Sequence, residues 1–223
     1  GGVDLFNKAM SYEKGIFASE GATKAFNALG ELVKNVEPST VANANPQSFT
    51  KNQQLILDNK ALFMPNGTWV VGEMKDAPRA DGFKWAMNAA PAIEKGGKRF
   101  VYSFFEHIWV PEAATNKKEA KEFLSFLYSD KAAAIFAKHN AAQPIQGVTS
   151  KLPAELQSLY KVVDEVDGVI NGNFIATKPV EGVNMKETLY GQIDSVASGQ
   201  KSVADWQKSV EEVSQKLGAA VEK

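Results

Sequence analysis

The sequence contains no cysteine and only two histidines among its 223 residues. Without cysteine there is no disulfide, no thiolate nucleophile and no zinc–thiolate site, and two histidines are too few for a histidine-rich metal centre. The 25 Lys and Arg residues are balanced by 26 Asp and Glu residues and interleaved with them, so no basic face is available for nucleic-acid phosphates. We therefore expect no metal, no cofactor and no nucleic-acid partner.

Long apolar runs are also missing, since none approaches the roughly 20 residues that a membrane-spanning helix needs. The composition, 44% hydrophobic and 23% charged, is typical of a soluble globular protein with enough apolar side chains for a core. The chain opens Gly1-Gly2-Val3 without an initiator Met or an export segment. We expect it to be a fragment or a trimmed product.

Apolar residues recur at three- and four-residue steps in several segments, which predicts helices. These segments are 19–36, 45–56, 68–74, 116–128, 129–139, 152–166, 184–197 and 202–221. Shorter runs rich in aromatic and β-branched residues predict strands. These runs are 61–64, 83–90 and 100–110. Helices mixed with strands, in no strict alternation, indicate an α/β fold.

Six short segments carry a family resemblance because they follow one another in a characteristic order. They are 61–69 (ALFMPNGTW), 85–91 (WAMNAAP), 108–124 (IWVPEAATNKKEAKEFL), 129–133 (SDKAA), 143–144 (QP) and 198–199 (SG) with the helix that follows. In this order the sequence resembles family 1 extracellular solute-binding proteins, the carbohydrate ABC transporter family of maltose-, chitobiose- and multiple-sugar-binding proteins. The resemblance covers nearly the whole chain.

The resemblance implies a periplasmic-binding-protein-like fold of type II, with two lobes joined by a hinge that the chain crosses more than once. Residues 1–103 and 152–223 would then belong to the C-terminal lobe, and residues 104–151 to the returning segment of the N-terminal lobe. The first part of the N-terminal lobe would be absent. With half the cleft wall missing, we expect this chain alone to bind sugar poorly.

The same resemblance implies a role in transport without catalysis. Such a protein binds a mono- or oligosaccharide by hinge closure and delivers it to the transmembrane subunits of an ABC permease. It would act outside the cytoplasm, as a lipoprotein on a Gram-positive cell surface or in a periplasm, and as a monomer.

The turn 65–69 offers the first candidate ligand-binding residues. Sugar sites pair aromatic platforms with short polar groups. Asn66, Gly67 and Trp69 supply this combination, with glycine allowing close approach of the backbone. A packing role for Trp69 and a simple turn at Asn66-Gly67 is the competing interpretation, and the family motif favours ligand binding.

A second group of candidates is Phe105, Glu106 and His107, in the predicted strand that crosses between the lobes. In an extended strand Phe105 and His107 share one face, and Phe104 and Glu106 share the other, so either face meets the ligand or the core. Asn184, before a helix, is a further ligand-binding candidate, and an ordinary helix cap explains it equally well.

The remaining tryptophans and charged runs have structural explanations. We expect Trp109 and Trp206 to pack in cores, Trp85 to be structural, and the residues around Glu211 to form a solvated helix face.

Two other functions remain open at this point. A carbohydrate-active hydrolase would need two carboxylates flanking the scissile bond, and Glu106 has no evident carboxylate partner. A surface interaction domain on the same fold would bind protein rather than free sugar.

Overall fold

The structure, a computed structural model, describes residues 2–221, and this range is mixed helical with few strands. Its α-helices are α1 Gly2–Met10, α2 Glu20–Val33, α3 Thr40–Asn43, α4 Thr50–Leu57, α5 Val70–Glu73, α6 Lys117–Leu127, α7 Asp130–Lys138, α8 Ala154–Tyr160, α9 Met185–Leu189, α10 Ile193–Ala197 and α11 Val203–Gly218. Short 3₁₀-helices lie at Ile16–Ala18, Val148–Lys151 and Lys161–Glu165. Strands β1 (Phe100–Tyr102) and β2 (Gly168–Ile170) pair in a two-stranded sheet.

Side-chain caps fix the starts of several helices where the sequence predicts them. Ser129, Asn184 and Ser202 each accept a hydrogen bond from the backbone N–H three residues later, at the starts of α7, α9 and α11. Ser19 does the same for α2. Gly199, with φ 75°, takes the left-handed conformation expected after a helix. These signals are readable because each cap and its partner are neighbours in sequence.

Three predicted strands are wrong in whole or in part. Residues 61–64 and 83–90 are irregular, and of the predicted strand 100–110 only β1 forms. The apolar composition favours strands, but a strand exists only where a second segment supplies backbone hydrogen-bond partners. Within the described residues no strand pairs with 61–64 or 83–90.

Helix boundaries also differ from the prediction. The helix expected from Asn45 begins at Thr50, and the short α3 precedes it. The helix expected over 184–197 is interrupted between α9 and α10, and α1 was not predicted.

The described residues form two compact units. The first unit contains 2–52, 91–100 and 170–221, and the second contains 53–90 and 101–169. These units do not follow the boundaries at 103 and 151 that the family resemblance implies. The predicted lobes belong to a whole two-lobed protein, so the assignment of 1–103, 104–151 and 152–223 stays a prediction.

The core of the first unit surrounds α11. Trp206, Val210 and Leu217 are buried on this helix at the predicted spacing, which confirms the packing role of Trp206. The Trp206 ring meets Phe26 of α2 edge to face, with ring centroids 4.5 Å apart. Its indole N–H donates to the Thr188 carbonyl over 3.0 Å, so the polar atom of this buried ring is satisfied.

Glu211 lies on α11 and is buried, which corrects the expectation of a solvated face there. Its carboxylate accepts the backbone N–H groups of Gly15 and Phe17, both over 2.9 Å, and the Gln215 amide over 2.7 Å. A buried carboxylate needs hydrogen-bond donors to offset its lost hydration. Glu211 thereby ties the 3₁₀-helix Ile16–Ala18 to α11, while the neighbouring Glu212 is exposed.

The core of the second unit forms around α5 and α8. Val70, Val71 and Met74 of the α5 segment pack with Leu156 and Leu159 of α8. Further members of this cluster are Leu57, Ala137 and Leu152. Trp85 packs against the same cluster and meets Phe83 edge to face, in agreement with a structural role. The short helix α5 is therefore held in place by its buried face.

Candidate ligand-binding site

Trp69 stands at the start of α5, in the second unit. The next two residues, Val70 and Val71, are buried, whereas the Trp69 side chain is 50% exposed. The backbone at this position is therefore anchored by the core, and the indole ring is presented at the surface of the unit. An exposed aromatic ring on a fixed backbone is suited to stacking on a ligand.

Gly67 sets the position of the Trp69 ring. A Cβ atom at residue 67 would overlap the six-membered part of the indole, so no other residue type fits here without displacing the ring. We expected this glycine to let a ligand approach the backbone. In the structure the Trp69 ring lies against this glycine, and a part for Gly67 in ligand binding stays a prediction.

Phe104 flanks Trp69 on the same unit. The two ring centroids are 6.2 Å apart, with the planes inclined by 65° in an edge-to-face arrangement. Phe104 is 55% exposed, so both rings present surface to solvent. We call this pair, Trp69 with Phe104, the aromatic platform. Phe104 was not among the predicted site residues, and the alternation rule failed here because residues 103–110 form no strand.

The predicted residues Phe105, Glu106 and His107 follow Phe104 in the second unit, and all three are exposed. Their role in ligand binding stays a prediction. Trp109 is 74% exposed, so its expected place in a core is wrong. The reason is again the missing strand, because an irregular segment offers no sheet face on which Trp109 could be buried.

Asn66 completes the turn that precedes Trp69. Its side-chain oxygen accepts the backbone N–H of Gly67 over 2.8 Å, and its amide nitrogen lies 3.6 Å from the Met64 sulfur. The side chain is exposed. The Asn66 side chain thus stabilises the turn that leads into Trp69 of the aromatic platform.

Thr68 and Tyr160 bring two hydroxyl groups together beside this turn. The Thr68 Oγ1 and Tyr160 Oη atoms are 3.2 Å apart, and both side chains are half-buried. Tyr160 is the last residue of α8 and packs against the core of the second unit. Sequence reasoning did not find Tyr160, because it lies 92 residues from Thr68 and no local pattern connects them.

Asn184 lies in the first unit, where it caps α9. Its side-chain oxygen accepts the Glu187 N–H over 3.2 Å, and its side chain is exposed. This geometry is that of an ordinary helix cap, the alternative interpretation of Asn184. A part in ligand binding stays a prediction.

Several shifted pKa values among the described residues arise from local surface partners, whereas burial raises the pKa of the core residue Tyr12. In the first unit a hydrogen bond from Lys24 to Glu94, over 2.8 Å, raises the pKa of Lys24 and lowers the pKa of Glu94. In the second unit a hydrogen bond from the Gln54 amide lowers the pKa of Asp58. These exposed pairs do not indicate a catalytic group. No cluster of three or more potential metal ligands occurs within residues 2–221.

Residues 1–158 match the family described as bacterial extracellular solute-binding protein. The chain belongs to this family. The match covers more than half of the chain, from α1 to α8, and it includes the aromatic platform. It confirms the resemblance of the sequence to extracellular solute-binding proteins.

Among curated relatives, the chain is similar to the diacetylchitobiose binding protein NgcE of Streptomyces coelicolor. The two are 29% identical over 162 residues, which cover 70% of this chain and 33% of the relative. The chain thus spans about a third of the length of the curated relative that it matches. Both the family and this relative are described as binding proteins, and the family description is extracellular. No helix in the range 2–221 has the length and apolar character to span a membrane.

Proposed function

We propose that this chain is part of the substrate-binding component of a bacterial ABC importer that takes up a sugar or oligosaccharide. The observation that carries the proposal is the aromatic platform of Trp69 and Phe104, exposed on an anchored backbone in a solute-binding family member. The pyranose ring of a sugar has apolar C–H faces that stack on such rings. The name of the relative, a diacetylchitobiose binding protein, supports a carbohydrate ligand.

The ligand is held between two lobes in this proposal, and the hinge closes over it. Residues 1–103 and 152–223 contribute to one lobe and 104–151 to the other, with Asn66, Gly67, Trp69, Phe105, Glu106, His107 and Asn184 facing the ligand. Closure stabilises the bound conformation, which the permease subunits then recognise. The whole protein acts as a monomer outside the cytoplasm, in a periplasm or lipid-anchored on a Gram-positive surface.

Binding takes place without catalysis in this proposal. The binding-protein descriptions of the family and of the relative favour it over the hydrolase alternative. They also favour a transported ligand over a purely protein-binding surface domain. Hydrolysis of an oligosaccharide by the full-length protein at an enzymatic rate would contradict this.

The test is a calorimetric titration of the full-length protein with a panel that includes N,N′-diacetylchitobiose, maltose and single sugars. We expect at least one sugar to bind. Trp69→Ala should weaken that binding by about tenfold or more, as expected for an aromatic side chain that the ligand buries on binding. Trp69→Phe keeps an aromatic face and should recover part of the affinity. Wild-type affinity in Trp69→Ala would remove Trp69 from the site, and failure of every sugar to bind would contradict the function itself.

A further inference from the structure

The hydroxyl pair of Thr68 and Tyr160 is placed directly next to the aromatic platform along the chain. Thr68 immediately precedes Trp69, whose ring meets Phe104. The two hydroxyl oxygens lie 3.2 Å apart and are partly buried. Tyr160 is anchored because its side chain packs against the core of the second unit. The pair is therefore a polar group anchored on the same unit as the aromatic platform and one residue before Trp69 along the chain.

The hydrogen-bonding capacity of this pair exceeds what the pair itself uses. Each hydroxyl has one donor and two acceptor lone pairs. The mutual bond consumes one donor and one acceptor, whichever residue donates. One donor and three acceptor positions remain. A group that offers both a donor and acceptors at one place is complementary to an alcohol, which also needs both.

We propose that Thr68 and Tyr160 together bind one ring hydroxyl of the saccharide whose face stacks on the aromatic platform. The inference rests on the proposed function and assigns a specificity-determining role to two residues outside the predicted site. The geometry of a sugar suits the arrangement, because its equatorial hydroxyls project from the rim of the ring whose face is apolar. The hydroxyl pair, one residue before Trp69 along the chain, is the candidate partner for that rim.

The competing explanation is that the pair only links α8 to the turn before α5 and stabilises the second unit. The two explanations differ in their dependence on the ligand. A purely structural link affects all sugars alike, whereas a direct contact affects only sugars that carry the recognised hydroxyl.

The experiment uses the full-length protein, the sugar that binds most tightly in the panel and the set of its monodeoxy analogues. Thr68→Val and Tyr160→Phe each remove one hydroxyl with little change of shape. We expect each variant to bind the parent sugar about threefold to tenfold more weakly, the effect of one lost hydrogen bond. For one particular deoxy analogue this loss should vanish, because the partner hydroxyl is already missing from the ligand.

Thr68→Ser keeps the hydroxyl and should bind like the wild type, while Tyr128→Phe removes a tyrosine hydroxyl elsewhere on the second unit and serves as the matched control. Equal losses for the parent sugar and for every deoxy analogue would overturn the inference in favour of a structural link. Unchanged affinity in both variants would overturn it as well and leave the proposed function standing. If the unaltered protein binds no sugar, the proposed function fails and the inference fails with it.

Discussion

Two tryptophans, one in each unit, meet a phenylalanine edge to face and yet have opposite environments. Trp206 of the first unit is 2% exposed, and its ring centroid lies 4.5 Å from that of Phe26. Its indole N–H is hydrogen-bonded to a backbone carbonyl. Trp69 of the second unit is 50% exposed, and its ring centroid lies 6.2 Å from that of Phe104. The same pair of residue types thus serves as a core contact in one place and as a surface platform in the other.

The comparison extends to the aromatic residues of the two units as groups. In the first unit Tyr12, Phe17 and Phe26 are buried together with Trp206. In the second unit large aromatic side chains stand at the surface. They include Phe63, Trp69, Phe104, Trp109 and Phe123. Exposed apolar surface of this kind marks ligand or polypeptide contact rather than a self-contained core. Phe49 and Tyr190 of the first unit are exposed as well, but the most exposed aromatic rings, Phe63 at 84% and Trp109 at 74%, belong to the second unit.

The largest expected effect follows from truncating the buried ring. Trp206→Ala should lower the free energy of unfolding by about 3–5 kcal/mol, because a large cavity opens among Phe26, Val210 and Met185. Trp69→Ala should lower it by less than about 1 kcal/mol, since half of that ring is already in solvent. Urea denaturation of the two variants measures both values.

If Trp206→Ala does not fold, the milder Trp206→Phe takes its place in the measurement. It should still be more destabilising than Trp69→Phe. Equal losses for the substitutions at 206 and 69 would contradict the contrast between core and surface.

The second effect concerns Glu211, whose carboxylate accepts the N–H groups of Gly15 and Phe17. Glu211→Ala should lower the free energy of unfolding by about 1–3 kcal/mol, because the buried Phe17 N–H and the partly buried Gly15 N–H lose their acceptor. Glu212→Ala is the matched control, one residue away and exposed, and should change stability by less than about 0.5 kcal/mol. Thermal unfolding of both variants is the measurement. Similar shifts in the two variants would show that the N–H groups find other partners.

Sequence patterns predicted the features whose causes are local. The helix starts at 129, 184 and 202 and the buried spacing of α11 were readable because each capping residue and its partner lie within a few residues. The asparagine–glycine–threonine–tryptophan turn was likewise recognised as a family motif, and the family is confirmed.

Features that depend on distant partners were not predictable in the same way. Glu211 looked like a solvated charge because Phe17, which makes it a buried acceptor, lies 194 residues away. The strand expected over residues 61–64 failed for the same reason, since side-chain pattern cannot supply a pairing partner. Phe104 and Tyr160 joined the candidate site only through tertiary contacts with Trp69 and Thr68.

The smallest effect tests how the platform is held in place. Gly67→Ala puts a methyl group where the Trp69 ring lies, so the ring must move and its alignment with Phe104 must change. The cost in stability should be small, because an exposed ring has room to rotate. Sugar affinity should fall by a few fold, less than on loss of the whole ring.

The double variant Gly67→Ala with Trp69→Ala should bind no more weakly than Trp69→Ala alone, since the methyl group then has no ring to displace. Additive losses in that titration would mean that Gly67 acts on the ligand directly, as the sequence suggested, and not through the ring.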